Sequence, residues 1–292
     1  MFGVVSEDDT FHPPPAITAE ESFRLQLVVA EGAEVRGVAY LDGRIYILQA
    51  ASQSIHVFER VDQYWQRAGD IISTSFERPQ DIVACSSRKV LYVLDQSRIW
   101  KVDTNGNVSV YVQLSQVSAT LSVTKNHLLV ISSEIIRKYT PGIVTPSMSQ
   151  FRLPVGLAET KPWHAVETDD GYVIAHTETA RFHRVSKLKE RQRDKSRVEV
   201  FAYGAYGTEV GEGEGQLSSP VYLALEPENG QIFVADHDNG RVVVLDHELT
   251  RVMTITDVPE GCYPTRLCYV DERKELLVGM SNGLVIGYKF KR

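Results

Sequence analysis

The sequence predicts an all-β fold, a six-bladed β-propeller whose last blade is closed by an N-terminal strand. Three observations predict it. A block of short apolar strands and polar turns recurs six times in 292 residues. Each recurrence has room for four short strands, the usual content of a propeller blade. The last recurrence is one strand short, and an unpartnered strand stands ahead of the first.

The elements follow in order. Residues 1–22 run through Pro13-Pro14-Pro15 and cannot join a ladder, so they read as an arm on the surface. FRLQLVV, residues 23–29, is the lone strand. The six copies then begin GVAYLDGRIYIL at Gly37, DIVACSSRKVLYVL at Asp81, TLSVTKNHLLVI at Thr120, HAVETDDGYVIA at His164, YLALEPENGQIFVA at Tyr222 and RLCYVDERKELLVG at Arg266. Successive starts lie 44, 39, 44, 58 and 44 residues apart. Apolar and polar residues alternate only loosely, as expected of strands packed on both faces by neighbouring blades. The final copy runs out after ELLVGM and LVIGYKFKR, with three strands of its own. Strand 23–29 is therefore expected to supply the fourth and remove an open sheet edge. Residues 23–292 form one domain on this reading.

Composition narrows the function classes. Hydrophobic residues make up 43% and charged residues 24%, an ordinary globular balance. The net charge of −7 gives no basic footprint for a dedicated nucleic-acid binder. Cys85, Cys262 and Cys268 are odd in number and match neither a zinc ribbon nor a CxxC pair, so free thiols are expected. The N-terminus has no basic region followed by an apolar one, and no apolar run reaches 18 residues. A cytoplasmic chain, monomeric as an isolated domain and without a membrane span, is the expectation.

The fifth copy is the best preserved: GEGEGQLSSPVYLALEPENGQIFVADHDNGRVVVLD, residues 211–246. Gly215-Gln216, Ser219-Pro220, Phe233-Val234-Ala235-Asp236, Asn239 and Arg241 stand in the order of an NHL repeat, which the segment resembles. Arg78-Pro79, Asp81-Ile82-Val83 and Leu91-Tyr92-Val93-Leu94-Asp95 carry a weaker version in the second copy. The other copies keep the strand rhythm without the motif. The resemblance implies a six-bladed propeller; it does not imply one function, because such propellers host enzymes, nucleic-acid binders and protein scaffolds.

Candidate sites follow from the register. Asp236-His237-Asp238-Asn239-Gly240 crowds acidic residues around a histidine, but adjacent strand residues point to opposite faces and the calcium-loop spacing is absent. It reads as a hairpin turn, with Asn-Gly supplying a positive φ. The six copy-starting residues should instead gather round one mouth of the central channel. Among them Asp81, Thr120, His164, Tyr222 and Arg266 form a polar cluster of a kind that binds small ligands or fills the channel. The resemblance extends to six-bladed amidating lyases, which hold zinc with channel histidines, and to lactonase-like enzymes, which hold calcium with channel Glu, Asn and Asp. Here His164 stands alone, and Asp81 is the one carboxylate or amide in the ring, so no metal or other cofactor is expected.

The spacing of 58 marks an insertion in the fourth copy, ARFHRVSKLKERQRDKSR, residues 180–197. Arg181, Arg184, Lys187, Lys189, Arg191, Arg193, Lys195 and Arg197 make it basic against Glu190 and Asp194, while the rest of the chain is acidic. It reads as a solvated hairpin tip or a docking site for an acidic partner or RNA phosphates. With Phe182 as its one aromatic residue, it lacks the stacking surface that single-strand recognition uses. The Gly-rich stretch 204–220 carries Glu209, Glu212 and Glu214 and no GKS or GKT, so it is a connection and not a phosphate cradle. The expectation is a non-catalytic binding platform for a protein partner. RNA binding through the basic insertion and an enzyme centred on His164 are the alternatives.

Overall fold

The computed structural model describes residues 25–290 apart from 29–31, 63, 116–119, 125–126, 133–134, 141–145, 155–159, 179–181, 195–196 and 208. The expected arm, 1–22, lies outside the described residues. Six four-stranded antiparallel sheets succeed one another. β1 (Leu25–Val28) comes first. Blade one is β2 (Val35–Leu41), β3 (Arg44–Gln49), β4 (Ser54–Val61) and β5 (Tyr64–Ile72). Blade two is β6 (Pro79–Cys85), β7 (Val90–Asp95), β8 (Arg98–Asp103) and β9 (Val108–Gln113). Blade three is β10 (Thr120–Thr124), β11 (His127–Ser132), β12 (Ile135–Thr140) and β13 (Ser147–Arg152). Blade four is β14 (Lys161–Thr168), β15 (Gly171–Glu178), β16 (Phe182–Asp194) and β17 (Arg197–Tyr206). Blade five is β18 (Pro220–Glu226), β19 (Gln231–Asp236), β20 (Arg241–Leu245) and β21 (Arg251–Ile255). Blade six is β22 (Pro264–Val270), β23 (Glu275–Met280) and β24 (Leu284–Lys289), completed by β1, which pairs antiparallel with β24. The six-bladed all-β propeller and its closure by the N-terminal strand are as the sequence predicts; of the expected strand 23–29, residues 25–28 form β1 and the others lie outside the described residues.

The first strand of each blade touches the first strand of the next, and β22 returns to β2, so the six line a closed ring. The apolar core is correspondingly divided. Six clusters of buried side chains each lie between two adjacent blades, the sixth joining Leu27, Leu277 and Val285 to Val35 and Ile45 of blade one. Second strands sit between two such clusters, which is why VLYVLD in β7 is buried at every residue. Fourth strands lie on the rim, and β5 is exposed along most of its length.

Five of the six inner strands open with a bulge. The register slips between Val35 and Gly37, Pro79 and Asp81, Pro162 and His164, Pro220 and Tyr222, and Pro264 and Arg266. Proline begins three of these strands and stands second in β14, at the strand start, where a missing N–H is tolerated. The extra residues, Arg36, Gln80, Trp163, Val221 and Thr265, are thereby turned out of the ladder.

Candidate binding site at the channel mouth

The copy-starting residues fall in one layer, each paired near the end of its second strand: Gly37 with Leu48, Asp81 with Leu94, Thr120 with Ile131, His164 with Ala175, Tyr222 with Ala235 and Arg266 with Gly279. The structure joins four of the five polar members into one buried network. Asp81, fully buried, accepts the N–H of Ile82 at 2.9 Å and of Leu121 at 2.8 Å. The Tyr222 hydroxyl lies 3.2 and 3.3 Å from its two oxygens and 3.2 Å from the Leu121 carbonyl. Arg266 Nε is 3.6 Å from Asp81 Oδ1, and its guanidinium carbon is 5.1 Å from the centre of the Tyr222 ring. His164 stacks on the same Tyr222 ring, with centroids 3.7 Å apart. Thr120 sits beside the network and bonds to the next blade instead.

Both nitrogens of His164 are engaged by backbone. Leu223 N–H donates to Nδ1 at 3.2 Å, which assigns the proton to Nε2, 2.9 Å from the Leu121 carbonyl it donates to. Burial, with Arg266 nearby, pushes its pKa down to about 3, so the ring is neutral. Burial also lifts Asp81 to about 6, against the pull of Arg266 and its hydrogen bonds, and raises Tyr222 well above its usual value.

This layer also fastens the bulges above it. Arg266 donates from Nε to the Arg36 carbonyl at 2.7 Å, from Nη1 to Thr265 at 2.7 Å and from Nη2 to Gln80 at 3.1 Å. Thr120 Oγ1 donates to the Trp163 carbonyl at 2.6 Å. Four of the five bulge carbonyls are thus held by two side chains of the ring. The bulge side chains line a mouth of about 440 Å³ with Glu34, Ser219, His237, Asp238, Thr120 and Arg266. On the other side of the ring, His164 and Tyr222 line a lower channel of about 320 Å³ with Tyr40, Ser122 and Cys268.

Charges at the mouth are matched. Arg36 Nη2 is 2.9 Å from Glu34, and His237 Nδ1 is 2.7 Å from Asp238. The exposed Tyr263 ring stacks on His237 at 5.3 Å, and Lys161 Nζ lies 3.5 Å over the Trp163 ring. Trp163 Nε1 and Gln80 Oε1 are covered yet have no hydrogen-bond partner among the described residues. Sequence reasoning missed these bulge residues. A proline two positions before Asp81, His164, Tyr222 and Arg266 was the available signal.

The Asp236–Gly240 stretch is a single 3-10 turn, His237–Asn239, closed by Gly240 at φ 58°. Asp236 accepts the Ser218 N–H at 2.6 Å and binds Asn239 and Arg241 at 2.7 Å each. The turn brings His237 and Asp238 to the mouth.

The basic insertion is not a loop between strands but part of the strands themselves, an extension of the β16–β17 hairpin. Its three cations with described side chains differ in setting. Lys187 is buried, with Nζ donating to the His247 carbonyl of blade five at 2.5 Å and 3.7 Å from Glu248. It anchors blade four to blade five, because its long stem can cross the inter-blade groove before its charge meets oxygen. Arg184 is half-buried, its guanidinium carbon 5.0 Å from the Phe182 ring, and Lys189 is exposed. Arg191 and Arg193 fall within β16 and Arg197 begins β17; Arg181 and Lys195 lie outside the described residues.

No family model and no curated protein matches the chain. Among solved structures it is similar to the WD40 beta propeller domain of Doa1, at 13% sequence identity and a TM-score of 0.61, over 92% of this chain and 96% of that one. At that identity the likeness is one of fold, that of the β-propeller.

Proposed function

We propose that the chain is a non-catalytic binding platform that receives a protein partner through its propeller loops and the channel mouth. The mouth carries this reading: a cavity of about 440 Å³ built by bulge side chains from five blades over a floor in which two ring side chains hold four of the five bulge carbonyls. A rigid scaffold presenting loop-built surface suits recognition without chemistry. The ring beneath is better employed as a plug than as an active site, since His164 is 1% exposed and both its nitrogens are occupied. The repeats are of NHL type on this proposal, supported by Asn239 and Arg241 both donating to Asp236 at the positions of the motif.

Affinity capture with the full chain tests the reading. Wild type is compared with Arg36→Glu/Trp163→Ala at the mouth and with Lys189→Glu/Arg191→Glu on the hairpin. Partners lost from the mouth variant and kept by the hairpin variant are the expected result. An unchanged partner set in the mouth variant overturns the reading, and salt-sensitive RNA recovered with wild type and lost from the hairpin variant would replace it with nucleic-acid binding.

A further inference from the structure

The mouth discriminates by what it leaves unpaired. Among the described side chains that line the cavity, the charged ones are already matched: Arg36 by Glu34, Asp238 by the His237 ring, and Arg266 by Asp81 and three carbonyls, while Lys161, outside the lining, rests on the Trp163 ring. To bind an anion or a cation, the site would have to break one of these pairs and replace it. The groups without partners are neutral and of opposite kinds. Trp163 Nε1 is a donor and Gln80 Oε1 an acceptor. A covered polar atom without a partner costs about as much as a lost hydrogen bond, so a ligand that supplies both partners gains on both counts.

The two groups stand on different blades, Trp163 on blade four and Gln80 on blade two, with blade three between them. Polypeptide backbone is the common ligand that offers carbonyls and N–H groups in alternation along such a span, without charge. We propose that the mouth takes an uncharged, extended peptide segment of the partner, whose carbonyl accepts from Trp163 Nε1 and whose N–H donates to Gln80 Oε1. This rests on the platform reading above and names its ligand chemistry. The cavity, about 440 Å³, is of a size usual for small-ligand and short-peptide sites, roughly 300–1,000 Å³. Lys161 is the movable side chain that rests on the Trp163 ring. Its ammonium lies over the indole face from an exposed position, so a peptide can displace it at the cost of one exposed cation–π contact. The backbone below does not need to move, because Arg266 and Thr120 already hold the Gln80 and Trp163 carbonyls. Arg266 is in this sense a positioning residue for the mouth.

The chain has three tryptophans, so the ¹⁵N-labelled full-length protein gives three indole N–H signals, and Trp163→Phe assigns one of them. The probes are N-acetyl-triglycine amide, N-methylacetamide, sodium acetate and inorganic phosphate, each titrated at constant ionic strength. The blocked tripeptide is expected to move the Trp163 signal saturably and leave Trp65 and Trp100 in place. N-methylacetamide, with a single amide, binds more weakly, and Gln80→Leu weakens the tripeptide about five-fold, the effect of one hydrogen bond. The unchanged Trp65 and Trp100 signals show that the variant is folded. A Trp163 signal indifferent to the tripeptide, or moved equally by acetate or phosphate, overturns the proposal. Equal affinity for the single amide and the tripeptide overturns the extended-segment assignment. The platform reading fails separately: there, captured partners persist in the mouth variant whatever the tripeptide does.

Discussion

A buried histidine that stays neutral ties stability to acidity with a definite sign. His164 has its folded-state pKa at about 3, below the ordinary value of 6.5. The unfolded chain therefore binds the proton first, and stability falls as pH drops from 6.5 towards 3. The full effect is about 5 kcal/mol at the acid end. His176, pushed down to about 4 by burial, works in the same direction. Asp81 opposes them: lifted to about 6, it takes up its proton in the folded state first and adds stability as pH falls from 6 towards 3.8. Denaturant melts from pH 7 to 4 are expected to show a shallower loss for His164→Gln than for wild type; parallel curves would mean that His164 does not titrate with folding. Gly37, the sixth member of the ring, is required for space. A Cβ there would stand 2.4 Å from Ile82 Cγ2 and 2.8 Å from the Ile82 backbone N. Gly37→Ala is expected to cost about 1–3 kcal/mol through overpacking between blades one and two, read as a lower chemical-denaturation midpoint. The alignment of these residues was legible in the sequence because the repeat set their register. What they do was not, because each polar member bonds to another blade at a residue 40 or more positions away, such as Asp81 to Leu121 and Arg266 to Arg36.

Among the elements, the hairpin of blade five separates structural from exposed aspartate. Asp236 is fully buried and collects a backbone N–H, an amide and the Arg241 guanidinium, while its neighbour Asp238 is about half exposed. In blade two Asp95 does a related job, accepting the Glu77 and Arg78 N–H groups at 2.8 and 2.7 Å. Asp236→Ala leaves Arg241 and the Ser218 N–H without their partner and is expected to cost about 3–5 kcal/mol, whereas His237→Ala should stay within about 0.5 kcal/mol. Thermal melts of the two single variants check this, and comparable losses would contradict it. The turn was legible as a turn from Asn239-Gly240. The mouth it helps to build was not, because a bulge inserts one residue at a strand start and period-two patterning cannot show which residue it turns outward. Within the basic insertion Lys187 misled for a related reason. Charge is a poor guide to exposure in a long β-strand, where a lysine such as Lys187 can lie down an inter-blade groove and still reach oxygen.

For the whole molecule, the ring is only as strong as its closure. Each blade is held by two apolar clusters, one shared with each neighbour, so opening a single junction leaves two blades half-packed. The junction between blades six and one depends on β1, whose Leu27 is buried in the cluster shared with Val35, Ile45 and Val285. The same strand covers the edge of β24 with a four-residue ladder, Leu25–Val28 against Leu284–Gly287. Removing residues 1–28 should therefore do two things at once. It strips one buried leucine and its ladder, a loss of about 3–5 kcal/mol that lowers the melting temperature by about 10 °C. It also leaves β24 as a bare edge, a template for pairing with a second chain. Removing residues 1–22 alone keeps β1 and should change neither property. Calorimetry and light scattering of the two truncations across a range of concentrations distinguish them. The longer truncation is expected to melt earlier and to associate as concentration rises. If it melts with wild type and stays monomeric, blade six closes without β1, and the cluster between blades six and one would have to hold the ring by side-chain packing alone.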